Sequence, residues 1–154
     1  MAVQSAGILL YRLRPDGPEF WLGHMGGPYW ARKQDHAWSI PKGEVLPGED
    51  PFTAARREFA EEMGHPAPEA DYAGLGSFRQ SSGKVVTVFT AEAEFSPAAI
   101  SSNTFQLEWP RGSGRFREFP EMDDAGWFGA AEARRLLVRG QQPVLAALLH
   151  RLGR

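Results

Sequence analysis

The chain contains no cysteine, which removes disulfides, thiolate zinc sites and a thiol nucleophile together. A reducing compartment is permitted by that, though not demanded. No apolar run approaches the 18 residues of a membrane-spanning helix, and the opening stretch MAVQSAGILLYR lacks a basic leader and a cleavage site. The expectation from these absences is a cytoplasmic protein without a membrane partner. A surplus of positive charge is missing too, since 17 basic against 19 acidic residues leave a net charge of -2 and a pI near 6.1. The field of the whole chain would not draw it to a nucleic acid polymer, so any affinity for phosphate has to be local. Nor does any composition shift or long low-complexity run mark off a second unit. The 154 residues are therefore read as a single domain, 1–154, long enough to bury a sizeable core.

What is present is concentrated between Gly43 and His65, GEVLPGEDPFTAARREFAEEMGH. Asp50 suits an N-cap, Pro51 the first helical position, and Gly64 the left-handed residue that ends a last turn. The spacing predicts a helix between them with Phe52, Ala55, Phe59 and Met63 as its apolar stripe. At about 100° per residue, Glu58, Glu61 and Glu62 share an arc of roughly 100° beside that stripe, so their oxygens can converge on one hard cation. Arg57 falls outside the arc. Like charges three and four apart cost an isolated helix a few tenths of a kcal/mol, a cost that a bound divalent ion would reverse. Before the helix, Pro41, Gly43, Pro47 and Gly48 specify a tight loop whose backbone can approach a ligand, with Lys42 over it.

Any two glutamates on a helix are usually a solvated face. Seven positions are harder to dismiss: Gly43, Glu49, Arg57, Glu58, Glu61, Glu62 and Gly64 coincide by chance with a probability on the order of 10⁻⁸ at about 6 to 7% usage each. The segment resembles the Nudix box, G-x5-E-x7-R-E-U-x-E-E-x-G-U, in which U is a bulky aliphatic residue; Phe59 stands at the first U and His65 departs from the last. Trp38 to Gly43 also resemble the approach to the box in many family members. The resemblance implies a Nudix fold, an α/β protein whose mixed sheet is sandwiched between helices (α/β/α), and a pyrophosphohydrolase that uses Mg²⁺, with Mn²⁺ able to substitute. It implies Glu58, Glu61 and Glu62 as metal ligands together with the Gly43 carbonyl, and Arg57 orienting a neighbouring carboxylate, Glu49 first, by a bidentate pair.

A diphosphate linkage carries spread negative charge and little electrophilic drive, so its cleavage depends on divalent ions that cancel charge and acidify a water. Oxygen ligands suit Mg²⁺ or Mn²⁺. For the general base, an acid at about this distance before a Trp or Phe reaches the metal cluster in the resembling enzymes. That makes Glu121, six residues before Trp127, the first candidate, with Glu118 second and Glu61 third. Glu118, Glu121, Asp123 and Asp124 read equally well as an acidic loop. Gly83 and Lys84 superficially suggest the end of a phosphate loop, but Val85 replaces the hydroxyl residue, so a hairpin turn is the better reading.

Substrate contacts are assigned to Lys42, His36, Trp38, Arg79 and Arg117. His36 lies near Tyr29, Trp30, Arg32 and Lys33, where ring stacking and phosphate contacts could select a ligand, although such aromatic sets are more often core. His24, His65 and His150 read as surface or packing residues. Arginine outnumbers lysine heavily, and Arg111, Arg115 and Arg117 cluster with Trp109 in a Gly, Ser and Pro-rich stretch: either a solvated loop or a lid that grips polyphosphate.

Strands are expected at 5–13, 19–23 and 38–40, a hairpin at 72–79 and 84–95 with Val85, Thr87, Phe89, Ala91, Ala93 and Phe95 on one face, and helices at 130–139 and 143–152. The functional expectation is cleavage of a phosphoanhydride in a small nucleoside diphosphate linked to another group, a dinucleoside polyphosphate first, by a monomer or homodimer. Cleansing the nucleotide pool of oxidised triphosphates, and non-catalytic nucleotide sensing, are the alternatives.

Overall fold

The computed structural model describes residues 3–154; Met1 and Ala2, part of the single-domain reading, lie outside them. Strand β1 (Gln4–Arg14) turns through Pro15 and Asp16 into β2 (Gly17–Met25), followed by the short β3 (Trp38–Ser39) and β4 (Lys42–Glu44). Helix α1 (Pro51–Met63) comes next, then β5 (Ala73–Arg79) and β6 (Val85–Glu92). A separate hairpin, β7 (Thr104–Glu108) and β8 (Phe116–Pro120), precedes β9 (Met122–Gly129) and the helices α2 (Ala130–Leu136) and α3 (Gln142–Arg151).

The main sheet runs β3-β2-β1-β6-β5, with β4 paired to β1 and β9 to β2. β1 and β6 are parallel while β1 and β2 are antiparallel, which makes the sheet mixed. Two cores cover its faces. Ala6, Ile8 and Leu10 of β1 point toward α1 and meet Phe59 and Met63, whereas Leu9 points the other way, toward Leu136, Leu145 and Leu148. Each large apolar side chain fully enclosed in this way contributes roughly 1.5–3 kcal/mol. Burial on both sides also corrects the expected face of β6: Val86 and Val88 are fully buried, while Val85, Thr87 and Phe89 are half-buried.

α1 is held at both ends. Asp50 accepts a hydrogen bond from the Thr53 amide at 3.1 Å, a cap worth about 1 kcal/mol, and Gly64 takes φ +75°. The carbonyls left over in the last turn are taken by the incoming chain, because the Ser101 amide donates to Met63 O at 3.1 Å and the Asn103 amide to Glu61 O at 2.8 Å. That crossing is close: a Cβ on Gly64 would sit 2.7 Å from Ser101 O.

Three expectations need correction. The 130–139 helix stops at Leu136, since Leu137 is extended at ψ 139° and the Val138 amide donates to Trp38 O at 2.9 Å, joining the first residue of β3 instead. The Gly, Ser and Pro-rich stretch is not a loop throughout but the β7–β8 hairpin, and Asp123 and Asp124 belong to β9. Among the described residues no helix is long and apolar enough to cross a membrane.

Candidate active site

β1 pairs with β2 only in its second half, from Tyr11 to Arg14; in the first half β4 takes that side, opposite Ser5 to Gly7. Gly7 makes this possible, because a Cβ there would lie 2.7 Å from Lys42 Cβ and 2.8 Å from Pro41 O. The swap brings Lys42, Gly43 and Glu44 beneath the acidic face of α1. Together with Glu58, Glu61, Glu62, Asn103 and Glu121 they line a cavity of about 230 Å³.

Glu58 lies directly over Gly43. A Cβ on Gly43 would fall 2.0 Å from Glu58 Cδ and 2.1 Å from its Oε2, so the carboxylate occupies the space that glycine leaves open. Glu62 is 6% exposed, and its Oε2 is a buried oxygen with no hydrogen-bond donor. Such an atom costs free energy unless a cation or donor meets it. Burial pushes the Glu62 carboxyl up to about 8; the Lys42 ammonium pulls it down, and Glu58 and Glu121 push it further up. Burial likewise lowers Lys42, against the opposing pull of Glu62. Glu58 is raised, again by burial first, with Arg57 opposing.

Arg57 is the hub of the cluster. Its Nε and Nη2 donate to the two Glu49 oxygens at 2.8 and 3.0 Å, a bidentate pair. Nη2 also donates to Glu44 O at 2.9 Å, and Nη1 reaches Glu58 Oε1 at 2.8 Å and Glu61 Oε2 at 3.2 Å. The hydrogen bond with Glu49 raises the guanidinium, and Arg57 in turn holds the Glu49 carboxyl down at about 2. Glu58 and Glu61 thus point oxygens at a fixed cation. No three acidic or histidine side chains among the described residues close on one point, although Glu58, Glu61, Glu62 and Glu121 share one cavity wall.

Glu118 lies within the hairpin, whereas Glu121 follows its last strand. Glu121 lines the cavity with its backbone pinned on both sides, its amide donating to Asn103 O at 2.9 Å and its carbonyl accepting from the Gly26 amide at 2.9 Å. Glu118 lies on β8 and accepts from the Thr104 hydroxyl at 3.0 Å, away from the cavity lining. His24 has a role that sequence spacing does not reveal. It is 4% exposed, with Nδ1 2.6 Å from Asp123 Oδ1 and Nε2 2.7 Å from Lys33 O. Asp123 is the extra residue of a bulge, since His24 pairs with Asp124 and Met25 with Met122.

The substrate-contact candidates do not gather in one place. Lys42 lines the cavity; His36, Trp38, Arg79 and Arg117 do not. Trp38 is 5% exposed, packs edge-on against Phe128 and His24, and donates to Gln34 Oε1 at 3.0 Å, which makes it core. His36 has φ +57° and its Nδ1 lies 2.9 Å from Leu137 O, a loop anchor. Arg79 stands exposed on β5 opposite Val85.

A buried oxygen without a donor, a glycine seat filled by a carboxylate, and a donor set made only of oxygen fit a hard divalent ion such as Mg²⁺ or Mn²⁺. A model of the NUDIX domain matches residues 3–148. An asymmetrical bis(5'-nucleosyl)-tetraphosphatase of Caenorhabditis elegans is 42% identical over 62 residues, 40% of this chain and 41% of that protein. An RNA pyrophosphohydrolase of Rhodopseudomonas palustris is 59% identical over 29 residues, 19% of this chain and 17% of that protein. The matches thus span less than half the length of either curated relative. Among solved structures, a Caenorhabditis elegans Ap4A hydrolase binary complex superposes with a TM-score of 0.64 at 23% identity, covering 99% of this chain and 98% of that one. The NUDIX domain of Shewanella oneidensis NrtR, complexed with ADP ribose, gives a TM-score of 0.64 at 14% identity over 99% and 89%. At those identities the superpositions establish the fold.

Proposed function

The chain belongs to the NUDIX family, and from that premise we propose that it is a Mg²⁺-dependent pyrophosphohydrolase acting on a small nucleoside diphosphate linked to a further group, a dinucleoside polyphosphate first. The observation that carries this reading is the buried, donorless Glu62 oxygen set in one cavity with Glu58, Glu61 and Glu121. Glu58, Glu61, Glu62 and the Gly43 carbonyl would hold the ion, and Mn²⁺ would serve in place of Mg²⁺. Once bound, the ion supplies charge cancellation on the phosphates and acidity to a water.

The protein's own groups do the rest. Arg57 fixes the directions of Glu49, Glu58 and Glu61 through one rigid fork, so the acids do not have to be ordered during the reaction. Lys42, half-buried and close to Glu62, supplies a positive charge against phosphate oxygens on the cavity floor. Glu121 takes the proton from the attacking water. The hydroxyl adds to one phosphorus, the bridging P–O bond breaks, and the departing phosphate oxygen carries the electron pair away. The same reading has residues 1–154 acting as one domain, cytoplasmic, as a monomer or homodimer.

The resemblance to a bis(5'-nucleosyl)-tetraphosphatase supports the choice of substrate. The purified chain, incubated with Mg²⁺ and a panel of dinucleoside polyphosphates, sugar nucleotides and nucleoside triphosphates in ¹⁸O water, is expected to yield labelled phosphate products from the first group. Release of pyrophosphate from triphosphates alone would favour pool cleansing instead. Tight binding with no turnover on any of them would make the protein a sensor.

A further inference from the structure

The β7–β8 hairpin leaves the cavity wall and returns to it. Asn103 lines the cavity and leads into β7, and Pro120 at the end of β8 is followed by Glu121. The register sets Phe105 opposite Phe119 and Leu107 opposite Arg117, and the Trp109 amide extends the ladder by donating to Arg115 O at 2.8 Å. Alternation along each strand therefore gathers Phe105, Trp109, Arg115, Arg117 and Phe119 on one face. The acids are sorted to the other face: Glu118 binds Thr104, and Glu108 accepts from the tip amides of Gly112 and Gly114 at 2.9 and 3.2 Å.

The aromatic face turns toward the loop after β2. A Cβ on Gly27 would lie 2.8 Å from Phe105 Cζ, and Tyr29, 48% exposed, meets Trp109 edge-on at 5.5 Å and 82°. Arg117 stands over the Phe119 ring at 5.5 Å. Among the described residues, neither Arg115 nor Arg117 forms an ion pair. Guanidiniums without a carboxylate, beside partly open aromatic rings, are complementary to phosphates that end in a flat ring. Strand rise places Arg117 about 10 Å and Arg115 about 17 Å along the arm from its root at Pro120. A substrate must extend well beyond the scissile linkage to reach them.

Resting on the hydrolase reading above, we propose that this face binds the distal half of the substrate, with Arg115 and Arg117 on a continuing phosphate chain and Tyr29 and Trp109 against its terminal base. It selects compounds with several phosphates between two nucleosides over those that end in a sugar. The acidic reverse face and the net charge of -2 count against a long nucleic acid strand as the occupant.

The test uses the full chain and two surface variants, the double substitution Arg115→Gln with Arg117→Gln and the single substitution Tyr29→Ala. Calorimetry in EDTA, where hydrolysis is stopped, is expected to show about tenfold weaker binding of bis(5'-adenosyl) tetraphosphate to each variant, with ADP-ribose unaffected. With Mg²⁺ the KM for the tetraphosphate should rise about tenfold while kcat stays within about twofold. No change, an equal change for both probes, or a larger loss for a 5'-triphosphate RNA oligonucleotide overturns the assignment. Should the parent chain hydrolyse neither probe while the variants still bind the tetraphosphate more weakly, the hydrolase reading fails and the arm stands. Hydrolysis of both with equal KM in parent and variants leaves the hydrolase and removes the arm.

Discussion

Gly43→Ala separates the site from the fold more cleanly than removal of any acid. The new methyl would fall 2.0 Å from Glu58 Cδ, so the carboxylate has to retreat by about 1.4 Å to reach ordinary contact at 3.4 Å. Glu58 is the end of a flexible side chain, and it yields cheaply. Its pair with Arg57 Nη1 at 2.8 Å loosens, but Arg57 keeps both Glu49 oxygens and Glu44 O. The stability cost is therefore about 1 kcal/mol or less, a fall of about 2–4 °C in Tm for a domain of this size. A displacement of more than 1 Å at a charged group of the site is expected to lower kcat by about 10²-fold. Steady-state kinetics on the preferred substrate, calorimetric titration with Mn²⁺ and a thermal melt on the same preparation read all three quantities. Activity within threefold of the parent, with Tm unchanged, would refute the placement of Glu58 in the reacting site.

Glu62→Gln keeps the shape and removes the buried charge, and stability against pH in EDTA is its readout. The Glu62 carboxyl stands at about 8 in the fold against 4.5 in the unfolded chain, so between those values the folded protein holds a proton that the unfolded chain has released. Stability contributed by this group is full below pH 4.5, declines as pH rises and is gone above about 8, on the order of a few kcal/mol. The variant should show a flatter profile over that window with no measurable hydrolysis; parallel profiles would contradict the buried, unpaired state. Glu121→Gln should cost at least about 10²-fold in kcat whereas Glu118→Gln stays within about threefold, and a reversed order would move the base to the hairpin. Arg57→Lys cannot reproduce the fork on Glu49 and should lower Tm by several degrees as well as kcat, so a variant as stable as the parent would show the hub to be dispensable.

Helix α1, which carries the acids, was legible because several short-range signals agree. The Asp50 cap, Pro51, the stripe ending in Met63 and the Gly64 stop are all written within fifteen residues, and burial of Phe59 and Met63 follows from their period. β4 was hidden in the preceding loop, since three residues carry no period and its existence depends on Gly7, about 35 residues earlier on β1, being bare. The hairpin after Asn103 was masked by its Gly, Ser and Pro composition, which describes the tip and not the strands. Trp38 and His24 illustrate the remaining limit. Aromatic and imidazole side chains serve pockets and cores alike, and only the partners, Phe128 for one and Asp123 with Lys33 O for the other, decide which.

The carbonyls of Glu61 and Met63 that receive the Asn103 and Ser101 amides have a mechanical consequence for the hairpin. It is mounted on the helix like a lever on a clamped axle, because swinging it from the base would strip both bonds and leave the helix end bare. Hydrogen exchange at Ser101 and Asn103 should accordingly slow in step with the helix, so that the root of the hairpin opens no more often than the helix end that carries it.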